Sequence, residues 1–154
     1  MKRLKIYLDA TIPNYVFNPH TPEKQKFAKM LFDEINKGNF EAYISKIVID
    51  EISAAPESKQ SQMAKLLGDI PVLDITDECN KLAQEYITRG IIPPEYKNDA
   101  LHIAIATFYN IDALISYNFE HIVKLKTIRE VSGTNIAKGY KIIDLVIPEE
   151  VLSE

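Results

Sequence analysis

Four polar side chains stand where apolar chain segments end or begin, and their chemistry suits phosphate. Asp9 closes Lys5-Ile6-Tyr7-Leu8-Asp9, and Glu51 sits in Val48-Ile49-Asp50-Glu51-Ile52. Asp99 opens Asn98-Asp99-Ala100-Leu101-His102, and Asn118 follows Leu114-Ile115-Ser116-Tyr117. Carboxylates gathered in one cleft repel one another unless a cation sits among them. Hard oxygen ligands suit Mg²⁺ or Mn²⁺. The chemistry these residues suggest is therefore metal-assisted phosphoryl transfer or hydrolysis, with Asp9, Glu51 and Asp99 as metal ligands.

Each position also has a plain structural reading. Asp9-Ala10-Thr11 can be a strand-end turn with a helix cap, Thr11 either orienting Asp9 through its hydroxyl or contributing to a phosphate pocket. Glu51 lies four residues after Ile47 and three after Val48, so it shares their helix face, or it is an exposed glutamate. Asp99 can be a first-turn acid favoured by the helix dipole. His102, one turn on, can meet a phosphate or Asp99, or be a satisfied core residue. Asn118 can be a turn asparagine, with Glu120 and His121 close enough in sequence to substitute for it at a site. Tyr7, Asn14 and Tyr15 can line the same cleft.

Positioning these groups requires strands alternating with helices. Residues 4–8 predict a first, central strand ending at Asp9, with a helical turn over 12–17 behind it. Thr21-Pro22 predicts a helix start, with Phe27, Met30, Leu31 and Ile35 on its apolar face and Gly38 as its stop. Residues 40–44 form a second strand, and Ser45 caps the helix that places Glu51 in its first turns. A helix over 57–67 ends near Gly68, residues 72–75 form a third strand, and Thr76 or Asp77 caps a helix reaching Arg89. Residues 99–109 form a helix apolar almost all round, which implies burial against a sheet. Residues 113–116 and 141–144 supply strands four and five around a helix within 126–138, and Pro148 begins a terminal turn. This alternation predicts an α/β chain, a three-layer α/β/α sandwich with a central, mainly parallel sheet of about five strands. In such sheets ligands bind beyond the carboxyl ends of the strands, where the four polar positions converge.

The 154 residues fit a single domain, 1–154, with a full core. At 46% hydrophobic and 26% charged the chain is globular rather than disordered. One cysteine, Cys79, rules out an internal disulfide framework. No apolar run approaches membrane-spanning length or a signal-peptide core, so the expected location is cytoplasmic. The net charge of −4 excludes a polycation, yet Lys124, Lys126, Arg129, Lys138 and Lys141 face only Glu130 in sequence and could track phosphates locally.

Taken in order, Leu8-Asp9-Ala10-Thr11, Val48-Ile49-Asp50-Glu51-Ile52, Asp99-Ala100-Leu101-His102-Ile103-Ala104-Ile105-Ala106 and Leu114-Ile115-Ser116-Tyr117-Asn118 resemble the PIN-domain nucleases. Many bacterial members are the toxin half of a toxin–antitoxin pair. The resemblance covers essentially the whole chain. It implies a PIN-like fold and a ribonuclease that hydrolyses RNA phosphodiesters with Mg²⁺ or Mn²⁺. It places the family's first three acids on Asp9, Glu51 and Asp99, its small hydroxyl or amide position on Thr11, and its fourth position, often Asp, on Asn118. It also implies a cognate antitoxin as partner and a homodimer, to which the helix over 22–37 could lend a face. One carboxylate fewer at Asn118 weakens a second metal site. Two rivals stand beside this reading. One is a catalytically weak PIN-like module that binds RNA or protein without cutting. The other is a phosphotransfer domain with Asp9 as nucleophile, although Thr11 occupies the place where such domains usually carry a second Asp.

Overall fold

A computed structural model describes residues 2–152; the outermost residues of the expected 1–154 domain, Met1, Ser153 and Glu154, lie outside the described residues. Five strands form one sheet: β1 Leu4–Leu8, β2 Phe40–Ser45, β3 Val72–Leu73, β4 Ala113–Ile115 and β5 Asp144–Val146. Their spatial order is β3-β2-β1-β4-β5, and every neighbouring pair is parallel. The strand expected to be central is central. Helices fill the connections: α1 Thr11–Val16, α2 Pro22–Asn36, α3 Lys46–Ile52, α4 Glu57–Leu67, α5 Asp77–Thr88, α6 Lys97–Phe108 and α7 Leu125–Ala137, with α8 Pro148–Leu152 after the last strand.

Strand order dictates which face each helix covers. From β1 the chain steps outward to β2 and β3, then returns past β1 to β4 and β5. Right-handed crossovers therefore put α1–α4 on one face and α5–α7 on the other. The packing agrees: α2 meets α1 and α8, α4 meets α1 and α3, and α5 lies along α6. The direction of winding reverses between β1 and β4, which leaves a crevice at their carboxyl ends. β1 enters the core as Ile6, Tyr7 and Leu8, all fully buried. The apolar sequence of α6 has the expected consequence, since Ala100 through Thr107 are all buried.

Several boundaries differ from the sequence reading, each for a local reason. β3 stops at Leu73 rather than Ile75, because the Asp74 carbonyl accepts from Tyr109 Oη at 2.8 Å instead of joining the ladder. β5 occupies 144–146 rather than 141–144. Residues 138–141 are used to turn off α7: Gly139 adopts φ +80°, Tyr140 N–H donates to the Asn135 carbonyl, and the ladder resumes with Asp144 N–H on the Asp112 carbonyl. α6 begins at Lys97, behind a 3-10 turn over Pro94–Tyr96, so Asp99 is its third residue. Glu51 lies in the last turn of the short α3, not its first turns. Ser45 does cap α3 by accepting from Ile47 N–H, and Thr76 caps α5 through Cys79 N–H, whereas Thr21 makes no capping bond on α2. The inward face of α2 is Ala28, Leu31 and Phe32, used within this chain, while Met30 points outward.

The expected basic strip is largely spent on structure. Lys138 pairs with Glu85 at 2.8 Å, Lys141 with Asp112 at 2.8 Å and Lys126 with Glu130 at 3.6 Å. Asp112 precedes β4, so the Lys141 pair sits at the opposite end of the sheet from Asp9.

Behind α6, a buried polar knot joins three helices. Tyr86 Oη donates to Asn135 Oδ1 at 2.5 Å, and Asn135 Nδ2 donates to Thr107 Oγ1 at 3.2 Å. Removing one member of such a knot leaves the others desolvated without a partner. Asn135→Ala is expected to cost about 2–3 kcal/mol in urea unfolding. Asn39→Ala, which loses an exposed bond to Glu34, should change stability by less than about 0.5 kcal/mol. Equal costs at both positions would show that the knot contributes nothing.

Candidate active site

Asp9 is the first residue beyond β1, and Ser116 the first beyond β4; the last ladder pair, Leu8 with Ile115, sets them side by side. The Asp9 side chain is buried and accepts from both directions. Thr11 N–H and Thr11 Oγ1 donate to Oδ1 at 3.1 and 2.5 Å, and Ser116 Oγ donates to Oδ2 at 2.5 Å. Thr11 Oγ1 in turn accepts from Tyr117 N–H at 2.9 Å, and Ser116 Oγ accepts from Asn118 N–H at 2.8 Å. The carboxylate thereby ties the chain leaving β1 to the chain leaving β4. With its single proton committed to Asp9, the Thr11 hydroxyl orients that carboxylate and has none left for a phosphate.

Glu51 and Asp99 are each held by a histidine. Glu51 Oε1 meets His102 Nε2 at 2.8 Å, and Asp99 Oδ2 meets His121 Nδ1 at 3.0 Å. His102 is buried, its Nδ1 lies 2.7 Å from Tyr7 Oη, and Tyr7 Oη lies 2.7 Å from Ser45 Oγ. So His102 contacts Glu51 and Tyr7 rather than Asp99, the acid on its own helix. Tyr7 is sealed in the core and does not line a cleft. His121 is placed by its neighbours: its N–H donates to Asn118 Oδ1, its carbonyl accepts from Thr127 Oγ1, and its ring lies 4.0 Å from that of Tyr96. The Asn118 side-chain oxygen is thus a turn cap, with only the amide NH₂ left to face a ligand. Glu120 is exposed and reaches no closer than 3.6 Å to His121.

Electrostatics couple these groups to one another. Burial pushes the Asp9 carboxyl above the usual carboxylate range, against the opposing pull of His102, Ser116 and Thr11. Burial pushes His102 down, but the hydrogen bond and charge of Glu51, with the charges of Asp9 and Asp99, outweigh it, and the net direction is up. His102 is therefore the basic group whose electrostatics couple it to all three acids. Among the described residues, no three His, Cys, Asp or Glu side chains already form a cluster able to hold an ion. The donor set nevertheless fits a hard cation. Among the described residues Glu51 Oε2 and Asp99 Oδ1 carry no hydrogen bond, and Asp9 Oδ2 keeps a lone pair, all of them oxygens. Histidines that fix the outer oxygen of a carboxylate are a usual outer support for a metal ligand.

Ser116 and the pairings of His121 with Asp99 and of Tyr7 with His102 were not legible in the sequence, although His121 itself was a candidate. Ser116 reads as the last residue of a strand, and only the β1–β4 register brings it to Asp9. A concavity of about 880 Å³, lined by residues such as Arg3, Phe40, Tyr43 and Lys65, lies near the amino ends of the strands. It holds none of the carboxylates above, so chemistry rather than volume locates the site.

Because Asp9 binds its proton more tightly folded than unfolded, ionising it destabilises the fold, and stability falls as pH rises from about 4 through the raised value. Asp9→Asn removes that buried charge and is expected to stabilise the metal-free chain at neutral pH by about 1 kcal/mol. A melting temperature in EDTA that is unchanged or lower would show that the hydrogen bonds from Thr11 and Ser116 fully offset the burial.

Among curated protein sequences nothing matches the chain. Fourteen solved protein chains do match. One, from the crystal structure of VapBC2 from Rickettsia felis bound to a DNA fragment from their promoter, superposes with a TM-score of 0.57 at 20% identity, covering 92% of this chain and 97% of that one. That likeness is one of fold. The PIN domain family model matches residues 6–125, a span that takes in Asp9, Glu51, Asp99 and Asn118. With most of its length matched, from β1 through the start of α7, the chain belongs to the PIN domain family.

Proposed function

We propose that the protein is a divalent-metal-dependent endoribonuclease, a hydrolase of RNA phosphodiester bonds, acting as the toxin of a toxin–antitoxin pair. The observation that carries the nuclease reading is the placement of Asp9, Glu51 and Asp99 around one buried histidine at the β1–β4 crevice of a PIN-domain chain. The structural likeness to a chain of VapBC2 supports the toxin reading, with a cognate antitoxin as partner. In the same reading residues 1–154 act as one cytoplasmic domain that pairs as a homodimer. Among the described residues no helix is long and apolar enough to cross a membrane.

Asp9, Glu51 and Asp99 would hold Mg²⁺ or Mn²⁺, which when bound supplies an acidified water and neutralises charge on the phosphate under attack. The chain's own residues do the rest. Thr11 and Ser116 favour the ionised Asp9 carboxylate against its burial and fix its orientation at the strand end. His102 steadies Glu51 from inside. His121 fixes the direction of Asp99, and the Asn118 amide is left to donate to a phosphate oxygen.

The reading is tested by RNA cleavage with purified protein in Mg²⁺ or Mn²⁺ against EDTA. Cleavage should require the metal and disappear in Asp9→Asn and in Asp99→Asn. His121→Ala, which frees Asp99 without removing it, should lower activity roughly 10–100-fold, in the range for loss of an outer support. Undiminished RNA binding without cleavage in any metal would favour a binding module, with Asn118 in place of a fourth acid as the reason.

A further inference from the structure

Beside the carboxylate crevice, three aromatic rings from two segments surround a single ammonium group. Tyr15 of α1 meets Tyr117 edge-on at 4.9 Å, and Tyr117 lies 6.3 Å from Phe119. Lys24 Nζ of α2 stands 5.1 Å from the Phe119 ring centre, 5.3 Å from Tyr15 and 5.6 Å from Tyr117. Among the described residues Lys24 forms no ion pair, so its ammonium is engaged by these rings alone. Phe119 is 47% exposed, and an exposed phenylalanine alone means little. Here it is the outer member of a braced array. Tyr117 is buried, its N–H donates to Thr11 Oγ1, and its hydroxyl donates to Glu149 at 2.6 Å.

The array is joined to the site through few bonds. Ser116, which donates to Asp9, is the residue before Tyr117, and Thr11 bonds both Asp9 and Tyr117. A planar group resting on Phe119 would therefore sit beside whatever phosphate Asp9 faces, with Lys24 free to meet the next phosphate. Flat aromatic surface beside a lone cation matches a nucleobase and its backbone, and stacking of this kind accepts any base. Duplex bases already have their faces covered.

We propose that Phe119 and Lys24 form a base-stacking subsite that holds single-stranded RNA next to the Asp9 crevice. This rests on the nuclease reading of that crevice. The test uses the full chain in Mg²⁺, carrying Asp9→Asn to prevent cleavage, and the fluorescence anisotropy of a labelled oligouridylate of about eight nucleotides. Phe119→Ala should weaken binding about tenfold, and Phe119→Tyr should return it to within about twofold of the parent. Lys24→Gln should weaken binding and flatten its salt dependence by about one released ion. A hairpin duplex of the same length should bind more weakly and be insensitive to Phe119→Ala. With Asp9 intact, Phe119→Ala should raise KM and leave kcat within about twofold. Binding losses at Phe119 in a protein that never cleaves RNA would uphold the subsite and remove the nuclease reading. The subsite is overturned if the parent chain does not bind the oligouridylate, if Phe119→Ala binds it as the parent does, or if the duplex loses as much. It is also overturned if the substitution changes only oligomeric state, which would make Phe119 a protein contact.

Discussion

Everything at this site depends on one buried carboxylate joining two strand ends. Asp9 sits where the sheet reverses its winding, and its two oxygens collect donors from β1's exit, through Thr11, and from β4's exit, through Ser116. Besides Asp9, the two exits are joined by the backbone ladder, a bond from Tyr117 N–H to Thr11 and the edge-on contact of Tyr15 with Tyr117. A charge in that position costs desolvation, which the nearby His102 and three hydrogen bonds oppose.

The other two acids are positioned by a different device. Each gives one oxygen to a histidine and keeps the other unbonded. His102 is itself anchored through Tyr7 to Ser45, so the aim of Glu51 is set by the core beneath β1 and β2. His121 is anchored by the turn after β4, through Asn118 and Thr127, so the aim of Asp99 is set by the same segment that supplies Ser116. The three carboxylates therefore belong to one connected scaffold, even though they come from distant parts of the chain. Preorganisation of this kind favours a bound ion by lowering what must be ordered when it arrives.

Three of the five cations in the basic cluster are committed to holding the fold. Lys126, Lys138 and Lys141 each pair with an acid, so the sequence cluster of lysines does not make a broad phosphate-tracking surface. On the nuclease reading proposed above, a polyanion at the acidic crevice would be met by a metal ion, isolated cations and flat aromatic surface, and the segment after β4 brings the last two together.

By itself the sequence determined the element types and their order. Apolar runs of strand length, the cap at Ser45, the stop near Gly68 and the all-apolar Ala100–Ala106 segment are local signals, and local signals survive translation into structure. They also marked Asp9, Glu51 and Asp99 as unusual, since a carboxylate beside a buried run is visible without coordinates. Tertiary structure alone decided the pairings. Nothing in the spacing tells that His102 turns to Glu51 rather than Asp99, that Ser116 completes the Asp9 pocket, or that the Asn118 oxygen is consumed by a turn. It also decided that β5 begins at Asp144, because the preceding residues are drawn into closing α7. The physical reason is common to all of these. A hydrogen bond between groups far apart in the chain is set by register and crossover geometry, which depend on how whole elements pack, whereas a cap or an apolar period is set by a few neighbouring residues.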